Sequence, residues 1–226
     1  MTMENIVENP QLHNREFVFA DRADAGGKLG QLLREKTTAD GLLLAIPSGG
    51  VPVAVAMRDH LRWPLDLLLV RKVQIPWNTE AGFGAVNLDG DRIFNEPLLR
   101  SLHLTAREEE RQVAGTMQTL AHRNELFRGS RPFPEIMGRD IILVDDGLAS
   151  GFTMLAAIMF VRRRKPSSIT VAVPTGVLDT CTRIASEVDR LFCLNIREHY
   201  PFAVAGAYVN WYDLTDQDVL RLLDRA

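Results

Sequence analysis

Two adjacent carboxylates, Asp145 and Asp146, follow the apolar run Ile141-Ile142-Leu143-Val144 and precede the small-residue stretch Gly147-Leu148-Ala149-Ser150-Gly151, after which Phe152-Thr153-Met154 opens a helix. In open parallel sheets ligands gather beyond the carboxyl ends of the strands, so both aspartates emerge where a ligand reaches them. Neighbouring carboxylates accept hydrogen bonds from vicinal hydroxyls, and their charge attracts a divalent cation whose preference for oxygen suits a diphosphate-bound Mg2+. Ala149, Ser150 and Gly151 let backbone N–H groups turn inward at a helix N-terminus, where the dipole favours an anion. A phosphate fits there, with the hydroxyls of Ser150 and Thr153 as donors. Two solvated aspartates before a tight turn is the competing account, and it leaves the order of strand, acidic pair, small loop and helix unexplained.

A second such segment is Ala45-Ile46-Pro47-Ser48-Gly49-Gly50-Val51-Pro52, again a strand passing through glycines into a helix, with N–H groups for another anion. An ordinary glycine turn is the alternative. Arg71 and Lys72 follow a further apolar run, which puts two cations at the sheet edge that carries both loops, unless they are a solvated strand end.

The elements that must hold these groups follow from short apolar runs alternating with longer amphipathic stretches, the pattern of an α/β fold with a parallel sheet covered by helices on both faces. Buried strands are expected at 42–46, 65–70, 141–144, 169–173 and 191–194. Pro52 to Leu61 reads as a helix entered through proline. Thr105 with Glu108 forms a capping box for a helix running to about Phe127. The Asp89-Gly90 pair suggests a hairpin turn, and 74–86 is too irregular for a long element. Thr215 to Leu223 closes as a short helix, with 195–213 irregular and aromatic. At 226 residues the chain suits one domain, with a core of about 15–194 and a C-terminal hood of about 195–226.

Hydrophobic residues at 46%, charged residues at 24% and a formal charge of -3 are ordinary globular values, with no electrostatic footprint for nucleic acid or membrane. No apolar run reaches the ~18 residues of a membrane span, so a soluble cytoplasmic protein is expected. Cys181 and Cys193 are too few for a disulfide framework, and the scattered histidines suggest no metal cluster.

The Val144 to Thr153 segment resembles the signature of type I phosphoribosyltransferases. The Pro47 to Pro52 loop is similar to that of an uncharacterised branch of the same family written Pro-Arg-Gly-Gly-Val-Pro. The resemblance implies a Rossmann-like type I fold with a hairpin or lid and a small hood. It further implies that Asp145 and Asp146 hold the ribose hydroxyls of phosphoribosyl diphosphate, while Gly147, Ala149, Ser150, Gly151, Phe152 and Thr153 bind its 5′-phosphate. Ser48, Gly49, Gly50, Arg71 and Lys72 inherit the diphosphate. Ser48 replaces the branch's arginine, removing a bidentate cation that Arg71 and Lys72 partly replace. The 74–86 stretch stands where the family carries its lid. There Glu80 is either a proton-transfer group or an exposed loop residue, and Trp77 or Phe83 either stacks on a planar acceptor or packs. Ala149 replaces the aspartate of many 6-oxopurine enzymes, which argues against that substrate class. Glu198 to Phe202 and Trp211-Tyr212 either line the acceptor pocket or pack the hood. The implied reaction is Mg2+-dependent transfer of the phosphoribosyl group to a heteroaromatic nitrogen by a homodimer. The alternatives are a non-catalytic sensor of phosphoribosyl diphosphate or nucleotide, for which Ser48 speaks, and a receiver-like phosphoacceptor domain, whose acidic pair belongs near the start of a shorter chain.

Overall fold

The computed structural model describes residues 5–37, 40–198 and 201–224, without the side chains of 79 and 80. In chain order the first elements are β1 (Ile6–Val7), α1 (Arg22–Arg34), β2 (Gly41–Ala45), α2 (Gly50–Leu61) and β3 (Leu65–Leu67). Next come β4 (Val70–Ile75), β5 (Asn78–Asn87), β6 (Arg92–Phe94), α3 (Glu96–Ser101) and α4 (Ala106–Arg128). The last are β7 (Asp140–Val144), α5 (Phe152–Arg162), β8 (Ser168–Val177), α6 (Leu178–Ala185), β9 (Arg190–Arg197) and α7 (Asp216–Asp224). Contacts divide the chain into one unit of Met1–Leu68, Ile136–Gly151 and Arg164–Ala226, and another of Leu69–Glu135 and Phe152–Arg163.

The first unit is built on a parallel sheet in the order β1-β9-β8-β7-β2-β3. Its inner strands are largely apolar and buried over most of their length, as a sheet covered on both faces requires. From β2 the chain steps to β3 in one direction, and from β7 it steps through β8 to β9 in the other. Right-handed crossovers then place α2 and α6 on opposite faces, and the reversal between β2 and β7 is the position at which such sheets bind ligands. Those two strands pair from Gly41 with Asp140 to Ala45 with Val144, so the loops that leave them start side by side.

Helix α1 starts at a reciprocal cap: Asp21 accepts from the Asp24 N–H at 2.9 Å, and Asp24 accepts from the Ala20 N–H at 3.0 Å. Its glycine seam then draws it onto α2. A Cβ at Gly26 would meet Val53 O at 2.3 Å, and one at Gly30 would meet Met57 Cα at 2.9 Å. Only glycine permits that approach. Because residues four apart share a helix face, Arg22 continues the line of Gly26 and Gly30 and is aimed inward. It is 6% exposed.

Two strand expectations need correction. The strand expected over 65–70 ends at Leu67, where the Leu68 N–H donates to Ala45 O at 2.9 Å, and β4 begins separately at Val70. The strand expected to stop at Val173 runs through Pro174 to Val177, because past Ala172 the ladder to β7 has ended, β9 continues as partner, and on the β7 side the loop pairs again only where Leu148 bridges Gly176. A proline lacking its N–H is tolerated on an edge left open in this way.

The second unit holds the antiparallel sheet β4-β5-β6 with α3, α4 and α5. The irregular stretch expected at 74–86 is in fact the end of β4 and most of β5, with register shifts around Gln74 that hid its alternation. Gly90, at φ +83°, turns the hairpin into β6. Buried Asn87 secures it, accepting from the N–H groups of Asp89 and Asp91 and donating to Ala156 O at 3.1 Å. The expected Thr105–Glu108 capping box opens α4.

Candidate functional site

Asp145 and Asp146 leave the end of β7 as half-buried residues. The Asp146 N–H donates to Asp145 Oδ1 at 2.9 Å, which holds the Asp145 carboxylate against the backbone of Asp146. Asp146 Oδ2 accepts from Arg22 Nε at 2.8 Å. Arg22 Nη1 in turn donates to Tyr212 O at 2.9 Å, and its guanidinium carbon lies 3.7 Å from the centre of the Trp211 ring. The Tyr208 hydroxyl donates to Asp146 O at 2.6 Å, and its ring stands 5.3 Å from Trp211. The hood is thereby fastened to the acidic pair through one arginine and one phenol. It is also tied to the N-terminal arm, where Phe19 N–H donates to Ala207 O and Val209 N–H to Phe19 O.

Burial raises the Asp145 carboxyl well above the usual carboxylate range, and the charge of Asp146 adds to this. Burial raises Asp146 as well, while the Arg22 guanidinium pulls it back. Burial followed by the neighbouring carboxylate pushes the Tyr208 phenol upward, so it remains a donor. Asp145 and Asp146 are therefore unequal: one is secured by a cation, and the other is burdened by its neighbour.

The loop after them is braced through its carbonyls. Leu148 N–H donates to Thr175 O at 2.9 Å and Val177 N–H to Leu148 O at 3.1 Å. From α6, Thr180 Oγ1 donates to Ala149 O at 2.7 Å, and Arg183 donates to Ser150 O. Gly151 adopts φ +73°. Among the described residues the N–H groups of Ala149, Ser150 and Gly151 meet no protein acceptor. With carbonyls held behind and amides left for a ligand, this loop suits a phosphate. Phe152 and Thr153 follow directly in the chain as the first residues of α5. They belong to the other unit.

The loop after β2 differs from expectation. Gly50 N–H donates to Ile46 O at 3.0 Å and Val51 N–H to Ser48 O at 3.2 Å, so the backbone has spent those donors on starting α2. The N–H of Gly49 meets no protein acceptor among the described residues. Gly49 also lies under the acidic pair: a Cβ there would come 2.0 Å from Asp146 Oδ2. The Pro47–Ser48 peptide is cis.

In the second unit Arg71 and Lys72 lie within β4, opposite Val86 and Ala85, rather than at the end of a central strand as expected. Glu80 is a β5 residue whose side chain lies outside the described residues. Phe83 is fully buried with its ring 5.7 Å from Phe94, so it packs rather than stacking on an acceptor, whereas Trp77 is 67% exposed at the β4–β5 turn. In the first unit Glu198 bonds Asn14, while His199 and Tyr200 lie outside the described residues. Sequence reasoning missed Arg22 and Tyr208. The signal for Arg22 was its place one turn before the Gly26-x-x-x-Gly30 seam; Tyr208 left none.

Among the described residues no three His, Cys, Asp or Glu side chains converge as a metal cage. Asp145 and Asp146 fit Mg2+ in the way this ion commonly binds, through one or two carboxylates together with substrate phosphate oxygens.

A phosphoribosyl transferase domain model matches residues 22–207. The chain is 37% identical over 209 residues to the Mycobacterium tuberculosis protein named "Putative phosphoribosyl transferase Rv0571c", covering 92% of this chain and 47% of that one. It thus spans about half the length of the curated relatives it matches. It is 34% identical to the protein TT1426 of Thermus thermophilus, whose crystal structure superposes with a TM-score of 0.73 over 91% of this chain and 97% of that one. A hypothetical protein from Neisseria gonorrhoeae with bound ppGpp shares the fold at a TM-score of 0.52 and 14% identity, covering 100% and 99% of the two chains.

Proposed function

Because the chain belongs to the type I phosphoribosyltransferase family, we propose that it moves the 5-phosphoribosyl group of phosphoribosyl diphosphate onto a nitrogen of a nucleobase-like acceptor. The observation that carries this is the acidic pair standing beside a loop whose carbonyls are braced and whose amides are left for an anion. Asp145 and Asp146 take the ribose hydroxyls, and Ala149, Ser150, Gly151, Phe152 and Thr153 the 5′-phosphate. Ser48, Gly49, Gly50, Arg71 and Lys72 serve the diphosphate, with Gly49 the loop amide left for it.

The acceptor nitrogen forms a bond to C1 as the C1–oxygen bond breaks, and diphosphate leaves with the electron pair. The proton on the nitrogen passes to a base, for which Glu80 is the candidate. Mg2+, when bound, neutralises the leaving group. The protein's own part is positioning and charge stabilisation rather than covalent chemistry. A homodimer working in the cytoplasm completes the reading.

The test is an acceptor screen for Mg2+-dependent pyrophosphate release, paired with calorimetry of phosphoribosyl diphosphate. Binding by wild type, its loss in Asp145→Asn/Asp146→Asn, and release with one class of base are the expected results. Unchanged affinity in the double variant would refute the site. Ser48, in place of a diphosphate-binding arginine, favours a second reading, a sensor that binds without turnover. Tight binding with no release across the screen selects it.

A further inference from the structure

We propose that Arg22 is the positioning residue of the acidic pair: by holding Asp146 Oδ2 through Nε while Nη1 is fixed on Tyr212 O, it presents the other carboxylate oxygen to the ribose hydroxyls and ties that oxygen to the hood. The proposal rests on the reading of Asp145 and Asp146 as ribose ligands.

The geometry leaves Arg22 no direct role. Its side chain is buried, its donors are aimed at Asp146 and Tyr212, and one face of the guanidinium is covered by Trp211. A substrate cannot reach it without displacing the hood. The carboxylate of Asp146 is confined between Arg22 and Gly49, whose missing Cβ makes the space, while its backbone carbonyl is held by the Tyr208 hydroxyl. Among the described residues of this unit, the charged and titratable groups facing Asp146 are Arg22, Asp145 and Tyr208. Arg22 is the one cation among them, so it alone offsets the repulsion of two neighbouring half-buried carboxylates. A buried guanidinium also holds its direction, since the fork fixes two acceptors at once. The arginine lies 124 residues from the aspartate it serves and is delivered by the α1–α2 glycine seam. The seam is therefore part of the site's construction.

Ligand-free crystal structures of the variants read this directly. In Arg22→Gln the Asp146 carboxylate is expected to turn from its wild-type direction, and in Arg22→Lys to keep it. Should Arg22→Gln not fold, Trp211→Ala, at a partly exposed ring, loosens the guanidinium and is read the same way. An Asp146 carboxylate that keeps its direction in the variant without the cation overturns the proposal. Calorimetry with phosphoribosyl diphosphate and Mg2+ supplies the second arm. Arg22→Gln is expected to weaken affinity on the order of tenfold at pH 7, as loss of a charged hydrogen bond does, and to add no further loss in an Asp146→Asn background. A full second loss there means that Arg22 acts independently of Asp146, which overturns the proposal. Wild-type protein that binds no phosphoribosyl diphosphate overturns the ribose reading itself, while the ligand-free structures still decide whether Arg22 governs Asp146.

Discussion

A single methyl group at Gly49 tests the arrangement around Asp146. An alanine Cβ would stand 2.0 Å from Asp146 Oδ2, 2.3 Å from Cγ and 2.8 Å from Oδ1, against an ordinary contact of 3.4 Å or more. The carboxylate must retreat by about 1.4 Å to restore that contact. Its bond to Arg22 Nε starts at 2.8 Å, and Trp211 and Tyr212 restrain the guanidinium from following. The ion pair is therefore expected to break. With both side chains largely buried, at 7% and 15% exposure, separating such a pair costs about 3 kcal/mol, the lower end for buried pairs. For a chain of this size that is roughly 6–12 °C in Tm. Calorimetric melts of wild type and Gly49→Ala at pH 7 measure it. Gly115→Ala on α4, where an added Cβ meets nothing within 4 Å, is the control and is expected to gain about 1 kcal/mol in helix propensity. A Gly49→Ala protein that melts within about 2 °C of wild type would refute the confinement of Asp146 between loop and arginine.

Asp145→Asn is expected to raise Tm at neutral pH by a few degrees while abolishing ligand binding. Its folded carboxyl titrates above the unfolded value, so the native state holds the extra proton and stability falls as pH rises through the ordinary carboxylate range. Melts from pH 4 to 8 should show that decline flattened in the variant. Tyr208→Phe removes the donor to Asp146 O and is expected to cost about 1–2 kcal/mol in urea titrations at pH 7. The raised phenol favours the unfolded state once pH passes about 10, so the variant should also lose less stability than wild type in that range. Thr180→Val, which keeps the shape but not the donor to Ala149 O, is expected to lower stability by about 1 kcal/mol and affinity for phosphoribosyl diphosphate several-fold by calorimetry.

The strand, acidic pair, small loop and helix were legible because each leaves a local mark: a continuous apolar run, paired carboxylates, then residues small enough for a turn. The hairpin at Gly90 and the cap at Thr105 were legible for the same reason. What escaped depends on distance or on broken rhythm. Arg22 follows a capping aspartate and reads locally as a solvated charge, and nothing nearby in sequence announces a partner 124 residues away. The β4–β5 arms read as irregular because two register shifts around Gln74 spoil the alternation by which strands are found. Pro174 ended a strand on paper that continues in space, since a proline's missing donor matters only where a neighbour needs it.

The parallel bridge between Phe19 and Tyr208 joins positions separated by most of the sequence. Closing so long a loop is entropically slow, and contacts of this span form late on the folding pathway. During synthesis the aspartates at the end of β7 emerge from the ribosome well before the phenol and ring that will fasten Arg22 beneath them. The contacts that hold Asp146 O and cover the Arg22 guanidinium are therefore completed only once residues 208 to 212 have been made.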